Sequence, residues 1–211
     1  DIVAKLKNHE TFRKLFTNFL NEIGYNKGGT FWDRFGVRVA PAENNLPYRE
    51  ASRINIHRDT WGTNLYQQIN WWAPVSNVEE KNTMIFYPDY FDVPVKNTTS
   101  TWDLNIYLAN RKKGDFSYPS APQLKEDLPS NIKKIPVTIK PGEILCFSGA
   151  HLHSSSKEKS ENTRISFEIR TICENDLNSS AQAPNVDCDL QWKFPKIFKK
   201  INDNSPLKIT S

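Results

Sequence analysis

The feature that most constrains this chain is a histidine and a carboxylate two positions apart, His57 and Asp59. On an extended strand, residues i and i+2 point to the same face, so both side chains reach one ion if the strand opens into a turn there. A third ligand is available late in the chain at His153, and Arg164 follows eleven residues later. Two imidazoles and one carboxylate form a ligand set for a transition-metal ion that leaves positions open for small molecules.

The order H-x-D, then a distant L-H-S-S, then Arg resembles the Fe(II)/2-oxoglutarate-dependent dioxygenases of the phytanoyl-CoA dioxygenase-like superfamily. Within this superfamily the chain is most similar to StrG-like enzymes, through the stretches His57–Gly62, Gln68–Pro74 and Phe86–Pro88. The resemblance covers roughly residues 50 to 170. It implies that His57, Asp59 and His153 hold Fe(II), with 2-oxoglutarate and O2 as co-substrates.

The resemblance also assigns two further residues. Arg164 would form a bidentate pair with the distal carboxylate of 2-oxoglutarate, a task suited to a planar, always-charged guanidinium, and Ser155 would assist the same carboxylate. His151 shares the strand parity of His153, so both could face the metal, but Leu152–Ser155 followed by Arg164 fits the family spacing with His153 as the ligand. The alternatives are a buried structural His57, an Asp59 that caps the following turn, and a surface ion pair for Arg164.

A row of polar and aromatic residues follows the metal motif. Four residues of the strand-like run 65–75 share one face: Tyr66, Gln68, Asn70 and Trp72. An inward row of this kind is unusual for a barrel core, so we predict that it lines the co-substrate pocket. Trp71 points to the opposite face, where ordinary packing is expected.

The pattern of short strands predicts a mainly β fold. Runs rich in β-branched and aromatic residues occur at 53–57, 65–75, 83–87, 135–139, 143–148 and 164–172, without βαβ alternation. We expect one domain, 1–211, with a barrel core at about 50–172. The resemblance implies a double-stranded β-helix, a jelly-roll or cupin-like barrel. Residues 1–24 have helical periodicity and should form N-terminal flanking helices that cover one face of a sheet.

Two segments lie outside the predicted barrel. Residues 88–130 contain five prolines and little periodicity, except for a short predicted helix around 102–108, and a loop of this length suggests a lid over the barrel mouth. The C-terminal extension, 174–211, ends in aromatic residues interleaved with lysines. We expect these aromatics to pack back on the domain, and docking on a membrane surface is the alternative.

Composition limits the functional classes. The three cysteines show no C-x-x-C pairing, and no apolar run approaches eighteen residues, so we expect a soluble, cytoplasmic protein without structural zinc or disulfides. The net charge of +4 is mild and its basic residues are scattered among acidic ones, which argues against nucleic-acid binding but leaves an anionic substrate open. The oligomeric state is not indicated.

The predicted reaction is hydroxylation of a small polar metabolite, such as a sugar, cyclitol or nucleotide-linked sugar, coupled to release of succinate and CO2. Arg53 and Asn55 share the parity of His57, and Trp102 and Arg111 lie in the predicted lid, so these four are the candidate substrate contacts. The charges predict an anionic substrate, unless the lid charges are solvated and the substrate is neutral. Two other functions stay open: a non-catalytic metal or 2-oxoglutarate sensor, and a cupin-like sugar isomerase or epimerase.

Overall fold

Short antiparallel strands carry the fold. The computed structural model describes residues 5, 9–25, 29–33, 35–42, 54–115, 117–156, 158 and 160–209. In chain order the strands are β1 Thr30–Trp32, β2 Gly36–Ala40, β3 Ile69–Pro74, β4 Met84–Phe86, β5 Ile135–Pro136, β6 Leu145–Ser148, β7 His153–Ser155, β8 Arg164–Cys173 and β9 Lys199–Lys200. Every pairing between these strands is antiparallel, which confirms the mainly β prediction.

The strands form two sheets. The larger has the order β6-β3-β8-β1-β9, with β2 also paired to β8, and the smaller has the order β5-β4-β7. Trp72 of β3 and Phe147 of β6 pack against Met84 of β4, so the two sheets enclose a shared apolar layer. This is a β-rich, jelly-roll-like arrangement, while closure into a double-stranded β-helix stays a prediction.

The register of the larger sheet fixes which side chains face inward. Asn70 pairs with Arg170, and Trp72 pairs with Glu168. Directly paired residues of antiparallel strands point to the same face, and alternate residues along a strand share a face. The inner face of the larger sheet, which packs against the smaller sheet, therefore carries Asn70, Trp72 and every second residue of β8 from Arg164 onward.

The N-terminal helix covers the outside of the same sheet. It spans Glu10–Glu22, begins after His9, whose Nδ1 accepts a hydrogen bond from the backbone N–H of Thr11 at 3.3 Å, and buries Phe16 and Leu20. Phe16 packs against Trp71, with ring centroids 6.1 Å apart. The helix thus covers one face of a sheet as predicted, and Trp71 lies on the packing face.

The predicted strand at 53–57 does not form among the residues described there. The backbone N–H of Ser155 bonds to the carbonyl of Ile54, and His57 and His153 bond to each other in both directions. The stretch from Ile54 to His57 therefore contains one residue more than the stretch from His153 to Ser155, as in a β-bulge. The extra residue breaks the ladder and interrupts the alternation of side chains. His57 forms only an isolated bridge with His153, and Asn55 is exposed.

The insertion at 88–130 contains the helix Leu104–Lys112, close to the helix predicted around 102–108. The other described helices are Thr60–Thr63 and Glu174–Ser179, with 3-10 turns at Glu80–Asn82, Pro88–Tyr90 and Pro195–Ile197. The aromatic C-terminal segment packs back on the domain, because Phe198 and Ile201 are fully buried. None of the described helices is both long enough and apolar enough to cross a membrane.

Candidate metal centre

The residues predicted as metal ligands lie together. His57 bridges to His153 at the start of β7, and Asp59 follows in a turn. The backbone nitrogen of His57 lies 2.9 Å from the carbonyl oxygen of His153, and the reverse bond is 3.0 Å long. Candidate ligand atoms of the three side chains all lie within 4.8 Å of one another. A single ion can contact all three.

Both imidazole rings turn the same nitrogen toward Asp59. Nδ1 of His57 lies 2.8 Å from the carbonyl oxygen of Asn55, and Nδ1 of His153 lies 2.9 Å from that of His151. Because a carbonyl oxygen only accepts, each Nδ1 carries a proton, and Nε2 is the nitrogen that each ring presents to Asp59. Burial, followed by the charge of His57, lowers the pKa of His153 to about 4. This ring is neutral at physiological pH, as a metal ligand must be.

Asp59 presents its two carboxylate oxygens to different partners. Oδ1 lies 3.3 Å from Nε2 of His57, and Oδ2 accepts a hydrogen bond from Nδ2 of Asn70. Burial by itself raises the pKa of Asp59, but the contact with His57 and the electrostatic effect of His153 outweigh it, so the pKa is lowered overall. The carboxyl group is ionised at neutral pH and suited to a cation.

A cavity of about 280 Å³ opens beside these three side chains. Its volume is near the lower end of the range for small-molecule sites. Four residues predicted to contact the co-substrate also line it: Asn70, Trp72, Ser155 and Arg164. The Ser155 hydroxyl accepts a hydrogen bond from the backbone nitrogen of Ile54 at 3.2 Å, which leaves its own proton available for donation.

Arg164 is a buried cation in the wall of this cavity. Its exposure is 3%, and no ion pair joins it to the residues that the structure describes. Its guanidinium carbon stands 5.5 Å from the ring centroid of Trp72. Within the described part of the chain, Nε of Arg164, Oγ of Ser166 and Nε1 of Trp72 are buried without a hydrogen-bond partner. Burial lowers the pKa of Arg164 to about 10, so it stays charged at neutral pH.

The side chains of this cavity show whether Fe(II) and 2-oxoglutarate, the groups that the family resemblance implies, fit the site. Two imidazoles and a carboxylate that face an open cavity match the facial triad that holds non-haem Fe(II). A buried donor without an acceptor costs about 1–3 kcal/mol, and an unpaired buried charge costs more. A carboxylate placed against Arg164 would satisfy the guanidinium, and the Ser155 hydroxyl, which also lines the cavity, has a proton left to donate. The residues present therefore fit both Fe(II) and 2-oxoglutarate.

Two ion pairs in the same wall were not predicted from the sequence. Nε of Arg38 lies 2.6 Å from Oε1 of Glu168, and the Arg170 guanidinium pairs with the Asp33 carboxylate. All four residues line the cavity. Continuing the alternation from Arg164 along β8 would have identified Glu168 and Arg170. No sequence signal indicates their partners, because β2 and the residue after β1 come from more than a hundred positions earlier.

Several predicted contacts lie outside the described cavity lining. Tyr66 belongs to a different apolar cluster, around Trp61 and Leu152, because β3 starts only at Ile69 and the alternation does not extend back to position 66. Gln68 is fully buried behind Asn70, to which it donates a hydrogen bond.

The predicted substrate contacts are also elsewhere. Arg53 lies outside the described residues, and Asn55 is exposed. Trp102 is buried against Trp192, with ring centroids 6.1 Å apart, and Arg111 is exposed, with its guanidinium 5.7 Å from the Tyr107 ring centroid. No described residue of the cavity lining comes from 88–130, so a lid role for this insertion stays a prediction.

Arg58, between the two N-terminal ligands, is a further residue that sequence reasoning missed. It is 2% exposed and donates to the carbonyl oxygens of Ala150 at 2.6 Å and Tyr90 at 2.7 Å. Its Nε lies 3.1 Å from Oδ2 of Asp187, which also accepts a hydrogen bond from the backbone nitrogen of Val95. Arg58 thereby ties the metal-ligand turn to the insertion and to the C-terminal segment.

Comparison with known proteins gives a fold assignment. No protein-family model and no curated protein matches the chain. Among solved structures, it is similar to SnoK, a non-heme alpha ketoglutarate dependent carbocyclase from nogalamycin biosynthesis, at 13% identity over 92% of this chain and 73% of that one, with a TM-score of 0.51. It is equally similar to EvdO2 from Micromonospora carbonacea var. aurantiaca, solved with 2-oxoglutarate, at 12% identity over 90% and 70%, with a TM-score of 0.51.

A third match, EvdMO1, has 14% identity and a TM-score of 0.50. The chain spans only part of several such proteins, 54% of ThoJ and 34% of EvdMO1. At these identities the likeness shows a shared fold. SnoK is alpha ketoglutarate dependent and EvdO2 was solved with 2-oxoglutarate, while the StrG-like subgroup stays a prediction for this chain.

Proposed function

We propose that the chain is an Fe(II)- and 2-oxoglutarate-dependent dioxygenase, an oxidoreductase that hydroxylates a small polar metabolite and releases succinate and CO2. The observation that supports it best is a single cavity that joins a His-Asp-His donor set to a buried arginine without a described ion-pair partner. Either feature alone has common structural explanations. Together they suit a metal and an anion held side by side.

In this proposal His57, Asp59 and His153 hold Fe(II), and Arg164 holds the distal carboxylate of 2-oxoglutarate. When bound, iron and 2-oxoglutarate supply the activation of O2 that hydroxylation of a C–H bond requires. The chain contributes orientation. The Arg164 guanidinium offers a planar pair of donors, the Ser155 hydroxyl adds a third, and the Trp72 ring packs near the guanidinium.

The proposed substrate is a sugar, cyclitol or nucleotide-linked sugar, and the pocket bears on its charge. The anionic expectation relied on Arg53, which is outside the described residues, and on Arg111, which is outside the cavity lining. The other lining arginines, Arg38 and Arg170, are neutralised by carboxylates. Since Fe(II) and 2-oxoglutarate together add no net charge, we propose that an uncharged substrate is preferred over an anionic one.

Anaerobic titration with Fe(II) and 2-oxoglutarate, followed by exposure to O2, tests the reaction class. We expect a metal-to-ligand charge-transfer band and then succinate, and we expect Arg164→Ala to lose both at 2-oxoglutarate concentrations that saturate the wild type. Lys14→Ala, which removes an exposed cation, is the control and should behave as the wild type. Absence of band and succinate with confirmed metal occupancy would refute the proposal. A band without succinate would indicate a sensor.

The substrate proposal needs its own test. A true substrate accelerates succinate formation, so matched neutral and phosphorylated forms of the same sugars are compared as stimulants. Stimulation by neutral forms is expected. Stimulation confined to the phosphorylated forms would show that cations outside the described lining, such as Arg53, determine recognition.

A further inference from the structure

A circuit of three hydrogen bonds, closed by the backbone from Asp59 to Asn70, stands behind the Asp59 carboxylate. Oγ1 of Thr63 donates to Oε1 of Gln68 at 3.1 Å, Nε2 of Gln68 donates to Oδ1 of Asn70 at 2.9 Å, and Nδ2 of Asn70 donates to Oδ2 of Asp59. Thr63 ends the helix Thr60–Thr63 that starts directly after Asp59, so twelve residues of sequence close the circuit. Thr63, Gln68 and Asn70 are at most 5% exposed.

The circuit has only one possible direction. An ionised carboxylate only accepts, so Asn70 must turn its NH2 group toward Asp59 and its carbonyl oxygen toward Gln68. Gln68 must then present its own NH2 group to Asn70, which leaves its oxygen facing the hydroxyl of Thr63. Flipping either amide would place oxygen against oxygen. The carboxylate of Asp59 therefore sets the orientation of both amides, and the Thr63 hydroxyl supplies the donor that Oε1 of Gln68 then requires.

Packing prevents Gln68 from leaving this position. A Cβ added to Gly149 would lie 2.8 Å from Nε2 and 3.2 Å from Cδ of Gln68. The backbone of Gly149 is itself fixed, because its nitrogen donates to the carbonyl of Gln68 at 2.9 Å and its carbonyl accepts from Thr60 at 3.3 Å. Gly149 begins the turn that leads from β6 toward His153. Glycine at this position clamps the circuit to the loop that carries the third ligand.

We infer that Thr63, Gln68 and Asn70 are positioning residues that hold Asp59 as a one-oxygen metal ligand. Oδ2 already accepts the hydrogen bond of Asn70 and lies 3.9 Å from Nε2 of His153, whereas Oδ1 lies 3.3 Å from Nε2 of His57 and is the oxygen left for the metal. A carboxylate that bound through both oxygens would take a position that the co-substrates need. The inference rests on the proposed function, and it gives Gln68 a role through Asn70 in place of the predicted contact with 2-oxoglutarate.

Isosteric variants test this inference, with Co(II) as the probe. In its ionised form, Gln68→Glu replaces the donor that Asn70 Oδ1 requires with an oxygen that only accepts, which draws the NH2 group of Asn70 away from Asp59. Gln67→Glu is the matched control. It makes the same substitution one residue earlier, on a side chain that bonds to Gln182 at the surface and not to Asn70. Thr63→Val and Thr63→Ser form a second pair that removes and keeps the terminal hydroxyl.

We expect Gln68→Glu and Thr63→Val to weaken Co(II) binding about 10- to 100-fold and to change the visible Co(II) spectrum. Gln67→Glu and Thr63→Ser should match the wild type in both readouts. Wild-type affinity and spectrum in Gln68→Glu and Thr63→Val would overturn the inference alone. A wild-type protein that binds no Co(II) would overturn the metal centre itself, and the proposed function with it. If Gln68→Glu does not fold, the two Thr63 variants decide.

Discussion

Arg164 and Arg170 lie six residues apart on β8 and face the same cavity, yet their surroundings differ. Arg170 pairs with Asp33, whose Oδ1 also accepts the backbone N–H of Arg170 at 2.7 Å. Arg164 stacks near Trp72 and meets no carboxylate within ion-pair distance in the described structure. A paired buried cation is stabilised by the protein itself, whereas an unpaired one costs stability until a ligand arrives. This contrast is the reason for proposing that Arg164 binds a ligand and that Arg170 has a structural role.

The largest expected effect is on 2-oxoglutarate affinity. Arg164→Met keeps a long side chain but removes the charge, and we expect affinity to fall about 100-fold or more, because a buried charge pair is lost. Arg170→Met should change this affinity far less. Calorimetric titration of the Mn(II)-loaded variants with 2-oxoglutarate measures both. Equal losses in the two variants would mean that the two arginines do not differ in function.

Stability should show the opposite order. Arg170→Met leaves the carboxylate of Asp33, whose side chain is 11% exposed, without its cation, and we expect the free energy of unfolding to fall by about 2 kcal/mol. Arg164→Met removes an unpaired charge and should leave the ligand-free protein as stable as the wild type or slightly more stable. Urea denaturation of the metal-free variants is the measurement. A clearly less stable Arg164→Met protein would reveal a partner for Arg164.

The smallest expected effect is on the pH dependence of stability, through His153. Burial keeps this imidazole neutral in the folded protein. Its pKa is about 4 in the folded protein, against about 6.5 in an unfolded chain. Between these values only the unfolded chain binds the proton, so stability falls as pH falls. The metal-free protein should lose about 1 kcal/mol between pH 6.5 and 5.5 beyond the loss in His153→Gln. Identical pH profiles for the two proteins would show that His153 titrates normally.

The sequence predicted the three candidate metal ligands that the structure brings together. His57 and Asp59 stand two positions apart, and the choice of His153 relied on the resemblance of Leu152–Ser155 and Arg164 to the family pattern. The mainly β class and the outward Trp71 followed from period-two patterns. The parity argument failed at Asn55, where the bulge opposite Ser155 interrupts alternation, and at Tyr66, which precedes the strand.

The missed features depend on contacts that are distant in sequence. Asp33 and Arg38 reach the cavity only because β1 and β2 pair with β8 across more than a hundred residues. The position of the insertion depends on Asp187, which binds Arg58 and the backbone nitrogen of Val95. No periodicity or spacing in the sequence encodes such pairings.

We propose that a metal ion held by His57, Asp59 and His153, together with the Arg164 guanidinium, binds the two ends of one 2-oxoglutarate molecule. A crystal structure of the protein with Mn(II) and 2-oxoglutarate measures this in one experiment. We predict Mn(II) between His57, Asp59 and His153, and the distal carboxylate of 2-oxoglutarate against the Arg164 guanidinium. A metal bound elsewhere, or 2-oxoglutarate bound at Arg38 or Arg170 with Arg164 still unpaired, would contradict the account.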